Sequence, residues 1–209
     1  MARSQNPLTG KMSGTVGNFV TSTYRGQNVV RSKAFNPKDA NSEAQQKHRN
    51  MFVMIRDEYS SFMPFVSFGF PGRPQSQSPF NAFVAANLPE AVDQSGEYPV
   101  IDYSKLVLSK GSLTRVNALS KAVSEQGVTI HYQTLGGNEG VAADDVVSAV
   151  MKTASGAVYS ASKPRGKEET DFLLLPAAGI APEDVLCIYL LVLSADKTKA
   201  SKSVYVSVR

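Results

Sequence analysis

One cysteine, no tryptophan and two histidines in 209 residues remove several kinds of chemistry at the outset. A lone Cys187 cannot form an internal disulfide or a multi-cysteine metal site. Set within "VLCIYLLVL", it reads as a small buried hydrophobe. A Ser-His-Asp or Cys-His arrangement would have to use His48 or His131, and no G-x-S-x-G elbow is present to carry a nucleophile. His48 falls on a helical stripe of core residues, which predicts a core-edge position, and His131 falls in a strand-like run. The acidic pairs Asp144-Asp145 and Glu168-Glu169 lie in predicted turns without calcium-loop spacing, and read as solvated loops. Nothing in the chain calls for a metal or a cofactor, and an enzyme is not expected.

Long apolar runs are missing too. No uncharged apolar run approaches about 18 residues, so no membrane-spanning helix is expected. The N-terminal "MARSQNPLTGKMSG" has no apolar signal core. The expected setting is the cytoplasm, or a particle such as a virion assembled there.

The most telling absence is of acid. Residues 1–38 contain none, and residues 1–56 carry a net +7 against −3 for the remainder. Such asymmetry points to an arm with an acidic or polyanionic partner. Within it, "GTVGNFVTSTYRGQNVVRSK" has β-branched and aromatic runs around a turn glycine at 25–27, and predicts a β-hairpin over residues 14–35. Its glycines match neither G-x-x-x-x-G-K-[ST] nor G-x-G-x-x-G, and no helix follows, so a phosphate cradle is excluded. Neither face of the hairpin alternates cleanly, and an isolated hairpin is marginal in water, so it must lie against something. Residues 1–13, polar with Pro7 and Gly10, read as a flexible or partner-ordered tail.

Beyond the arm, Ser42 and Gln45 fit a capping box. Ala44, His48, Met51, Phe52, Ile55, Tyr59, Phe62 and Met63 then form one 3.6-period stripe, with Lys47, Arg49, Arg56, Asp57 and Glu58 off it or at its margins. Pro64 is expected to end this amphipathic helix, leaving an aromatic loop through Phe70. Ser78-Pro79 predicts the start of a second short helix. From about residue 98 the pattern is all-β, with strands expected at 105–109, 127–134, 145–153, 157–162, 170–176, 185–194 and 202–208. Seven short strands suit an immunoglobulin- or fibronectin-like β-sandwich. The fold class is α+β, in three parts: basic arm (1–35), helical segment (36–97) and sandwich (98–209).

Gly14, Gly17 and Asn18, then Val30-Arg31-Ser32, Asn36-Pro37 and Gln45-Gln46-x-x-Arg49-x-x-Phe52 make up a recognisable signature. With "YSKLVLSKGSL" and "DVLCIYLLVLSADKTKASKSVYV", the chain resembles an uncharacterised family common in Bacteroidota, their phages and mobile elements. It departs from that family in having no tryptophan in the middle strands. The resemblance implies a fold and a lineage, no activity, and by association a structural role in a phage particle.

The expected function is a non-enzymatic assembly protein that contacts copies of itself or other structural proteins. The residues expected to bind the partner are Tyr24, Arg25, Arg31, Lys33 and Lys38. Two alternatives stand beside it. The same basic residues could contact nucleic-acid phosphates, with Tyr24 and Phe35 stacking on bases, or the sandwich could bind carbohydrate.

Overall fold

The structure, a computed structural model, describes residues 2–4, 12–24, 26–36, 40–96, 98–124, 126–134, 141–166, 170–176 and 179–207. The chain divides into two compact units, Met1–Ser42 and Glu43–Arg209.

In the first unit the expected hairpin is the centre of a larger sheet. Strands β1 (Ala2–Ser4), β2 (Gly14–Val16), β3 (Phe19–Tyr24) and β4 (Gln27–Ser32) pair antiparallel in the order β1-β4-β3-β2. Gly26, at φ 77°, makes the tight β3–β4 turn in a conformation that other residues adopt at a cost. Part of the expected flexible tail is therefore an edge strand, because Ala2–Ser4 pair with Asn28–Val30.

The second unit opens with α1 (Glu43–Gly69) and α2 (Pro79–Asn87), the latter capped by the Ser78 hydroxyl accepting from the Asn81 N–H at 3.1 Å. A small hairpin follows, β5 (Val92–Asp93) with β6 (Val100–Ile101). Then come β7 (Asn117–Ser124), β8 (Gly127–Gln133), β9 (Val146–Thr153), β10 (Val158–Pro164), β11 (Thr170–Leu175), β12 (Val185–Leu193) and β13 (Val204–Val206). These form a four-stranded sheet β10-β9-β12-β13 and a three-stranded sheet β11-β8-β7, both antiparallel.

Strand alternation sets up two cores. In β12, Ile188, Leu190 and Val192 face the three-stranded sheet and join Val128, Ile130, Leu173 and Leu175. Cys187, Tyr189, Leu191 and Leu193 point the other way, into a core with Ile55, Phe62, Val66 and Phe83 of the helices. The four-stranded sheet is thus the middle of three layers, which is why "VLCIYLLVL" is apolar at consecutive positions.

Three expectations need correction. The helix does not end at Pro64 but runs to Gly69, taking in most of the expected aromatic loop. Phe62, Val66 and Phe70 recur every four residues and are buried, while Pro64 faces solvent. Continuing that buried face offsets the backbone bond that proline cannot make. Pro64→Ala is accordingly expected to raise the unfolding free energy by about 1–3 kcal/mol, measured by denaturant titration.

The stripe itself is rotated from the expected one. Met51, Ile55, Glu58, Phe62, Val66 and Gly69 are buried, whereas His48 is exposed and Phe52 and Met63 are 39% and 50% exposed.

Residues 105–109 are not a strand. Leu106 and Leu108 are buried as alternation predicts, but the backbone there bonds to side chains, Val107 to Asn87 and Leu108 N–H to the Ser203 hydroxyl. In its place β7, "NALSKAVS", joins the three-stranded sheet. It carries too little apolar alternation to be read from sequence.

Candidate partner-binding surface

The N-terminal sheet carries Tyr24 and Arg31, two of the residues expected to bind a partner. Its register puts Tyr24 opposite Gln27 at the turn end, and Arg31 opposite Val20 further along. Strand alternation places Tyr24, Val20, Val29 and Arg31 on one face, with Tyr24 and Arg31 about 13 Å apart along it. Lys33 follows β4, its N–H donating to the Asn18 carbonyl at 2.7 Å. Arg31 and Lys33 therefore share one end of the sheet and Tyr24 occupies the other; all three are exposed. Arg25 and Lys38 lie outside the described residues.

Inside this sheet little is apolar. Thr21 and Asn28 are buried through polar contacts: the Thr21 hydroxyl donates to the Gly14 carbonyl, and Asn28 Oδ1 accepts from Met12 N–H and the Thr23 hydroxyl. Val29 is the one buried apolar side chain among the described residues of the unit. Val16, Phe19, Tyr24 and Phe35 are by contrast 56–70% exposed. Val16 and Phe19 sit directly opposite each other.

The sheet edges differ between the units. In the second, edge strand β7 has a register irregularity between Ala118 and Ser120, and its Lys121 falls opposite the inward-facing Ile130, where burial lowers the ammonium pKa. A bulge and an inward lysine are devices that discourage pairing with a further strand. Strand β2, "GTV", carries neither, and all three of its residues are exposed.

The second unit holds two buried ion pairs that sequence reasoning missed. Lys152 Nζ lies 2.7 Å from Glu58 Oε1, which also accepts from the Tyr103 hydroxyl at 2.9 Å. The ammonium stands 5.7 Å from the Phe62 ring centroid and 6.0 Å from that of Tyr103. Burial and the neighbouring Glu58 carboxylate push the Tyr103 phenol well above its ordinary range. Burial pushes the nearby Cys187 thiol up to about 12, so it stays protonated at neutral pH. The group ties α1 to β9.

Asp145, expected in a solvated turn, is instead buried 3.9 Å from the fully buried Arg165, whose Nη1 donates to the Thr114 carbonyl. Of the other pair, Glu168 and Glu169 lie outside the described residues. His131 is exposed beside Phe172, their ring centroids 5.9 Å apart. Among the described residues no cluster of His, Cys, Asp and Glu is suited to a metal ion, and no helix is long and apolar enough to cross a membrane.

Residues 11–207 match the model of a family of unknown function (DUF6266). No curated protein and no solved structure matches the chain.

Proposed function

We propose, for a chain that belongs to the family of unknown function DUF6266, a non-enzymatic assembly role in which the N-terminal sheet binds another protein, in the first instance a second copy. One observation carries this reading: a four-stranded sheet that, among the described residues, buries a single apolar side chain while leaving Val16, Phe19, Tyr24 and Phe35 in water. So little apolar burial does not offset the entropy of ordering a sheet, and the exposed aromatics are the natural contact for what completes it. The unprotected edge at β2 suits addition of a strand from the partner, with Arg31 and Lys33 setting register against acidic residues. Nucleic acid is the weaker reading, because Tyr24 stands apart from Arg31 and Lys33 and the described bases do not form one track.

For the second unit we infer an immunoglobulin- or fibronectin-like sandwich, supported by seven strands, β7–β13, in two facing sheets of four and three. A phage particle is the setting that the family signature in residues 14–52 suggests. Copurification of the chain with particles tests it.

The contact itself is tested on the full chain by sedimentation velocity. Phe19→Ser with Phe35→Ser is expected to weaken self-association at least about tenfold, as loss of aromatic anchors does. Thermal stability should hold, since both side chains are exposed. An unchanged mass distribution would refute the reading.

A further inference from the structure

The second unit carries complementary features near the two ends of α1. At the C-terminal end is a cleft of about 400 Å³, walled by Phe70, Pro74, Ala82 and Ala86 and flanked by Arg73 and Lys110. The Arg73 guanidinium is held at the end of the helix by its Nη1 donating to the Phe70 carbonyl at 2.9 Å, and the backbone N–H of Lys110 donates to the Gly69 carbonyl at 2.8 Å, which anchors the Lys110 backbone there. Neither pairs with a carboxylate among the described residues, and no acid lines the cleft. An apolar floor between two uncompensated cations fits an apolar group next to a carboxylate.

That chemistry is present on the β5–β6 hairpin. Tyr98 and Val100 are 70% and 62% exposed, and Asp93 is the direct cross-strand neighbour of Val100. The Asp93 carboxylate accepts from the Ser95 N–H at 2.9 Å, which lowers its pKa and keeps it charged at neutral pH. It forms no salt bridge among the described residues, although the Lys105 ammonium acts on it from further away. This hairpin lies beside the other half of α1, where Gln94, Gly96 and Pro99 line one small cavity with Lys47 and Met51.

Met51 and Gly69 are about 27 Å apart along α1 at the usual α-helical rise. One copy therefore cannot seat its own hairpin in its own cleft.

We propose that the β5–β6 hairpin of one copy docks in the α1–α2 cleft of the next, with Tyr98 and Val100 on the apolar floor and Asp93 against Arg73 and Lys110. The contact is heterologous, so it propagates from copy to copy as a ring or an open chain. A single such contact is small, hence weak and salt-sensitive, and it gains strength only through repetition. It goes beyond the reading given for the N-terminal sheet and does not depend on it.

The test keeps the full chain and works in the Phe19→Ser, Phe35→Ser background, so that contact through the N-terminal sheet does not contribute. Two variants are made there: Arg73→Glu with Lys110→Glu spoils the cleft, and Asp93→Asn with Tyr98→Ser spoils the hairpin. At about 100 µM and low ionic strength, where exposed charges are least screened, the background chain should sediment as a concentration-dependent series of oligomers. Each variant alone should be monomeric with an unchanged circular dichroism spectrum. Their equimolar mixture should stop at a dimer, because one intact cleft still meets one intact hairpin. A mixture that stays monomeric, or variants that assemble like the background chain, would overturn the proposal. A background chain that stays monomeric at this concentration would also overturn it, and would leave the cleft to an acidic partner of another sequence.

Discussion

Lys152→Ala is expected to lower the unfolding free energy by about 3–5 kcal/mol, the usual consequence of leaving one member of a buried ion pair alone. The carboxylate of Glu58 would keep only the Tyr103 hydroxyl as donor, with its Oε2 already lacking a partner. Replacing both charges by side chains of similar volume is a different experiment. Glu58→Leu with Lys152→Met removes the desolvation of both ions together, and the double variant is expected within about 2 kcal/mol of the parent, of either sign. Denaturant titration of the parent, both single variants and the double variant decides the matter. If the double variant loses as much as the singles combined, the pair supplies net stability and the argument from desolvation fails.

The second large effect is expected from Phe62→Ala, at about 3–5 kcal/mol for a fully buried ring whose loss leaves a cavity. Phe62 packs edge-on against Tyr189, ring centroids 5.9 Å apart, and lies beneath the Lys152 ammonium. The two sites share a contact, so their effects should not add. Phe62→Ala together with Lys152→Ala is expected to cost less than the sum of the singles by at least about 0.5 kcal/mol. Simple additivity would mean that the ring contributes packing alone and nothing to holding the charge.

These variants also mark how far the sequence could be read. Spacing along α1 placed Met51, Ile55 and Phe62 on the buried face, but the same spacing passes through Glu58, which its charge assigned to the surface. A charged residue in phase with a core stripe was the available signal. Its partner lies 94 residues away in a strand, and no local pattern links the two. Pro64 misled for a related reason: local propensity ends a helix there, whereas Val66 and Phe70 are held by the sheet beneath. The strands β8–β12 were legible because β-branched runs between turn glycines need no distant information. Strand β7 was not, since its place depends on pairing with β8. In the N-terminal unit the turn at Gly26 and the lack of acids were plain from composition. The separation of Tyr24 from Arg31 and Lys33 became visible only through the ladder register. Likewise the charges of the cleft and hairpin can be counted in the sequence, but their positions near opposite ends of α1 cannot.

The middle sheet also has a consequence in time. Strand β12 pairs with β9 on one side and β13 on the other, and it supplies side chains to both cores. It is made after both helices and most of the other strands. During synthesis, the apolar stripe of α1 and the inner face of β8 must wait for residues 185–193 before either is fully covered. Long-range pairing of this kind folds slowly, because the loop must close before the contacts reward it. A growing chain stalled before residue 185 exposes two incomplete cores at once, and is the species most in need of a chaperone.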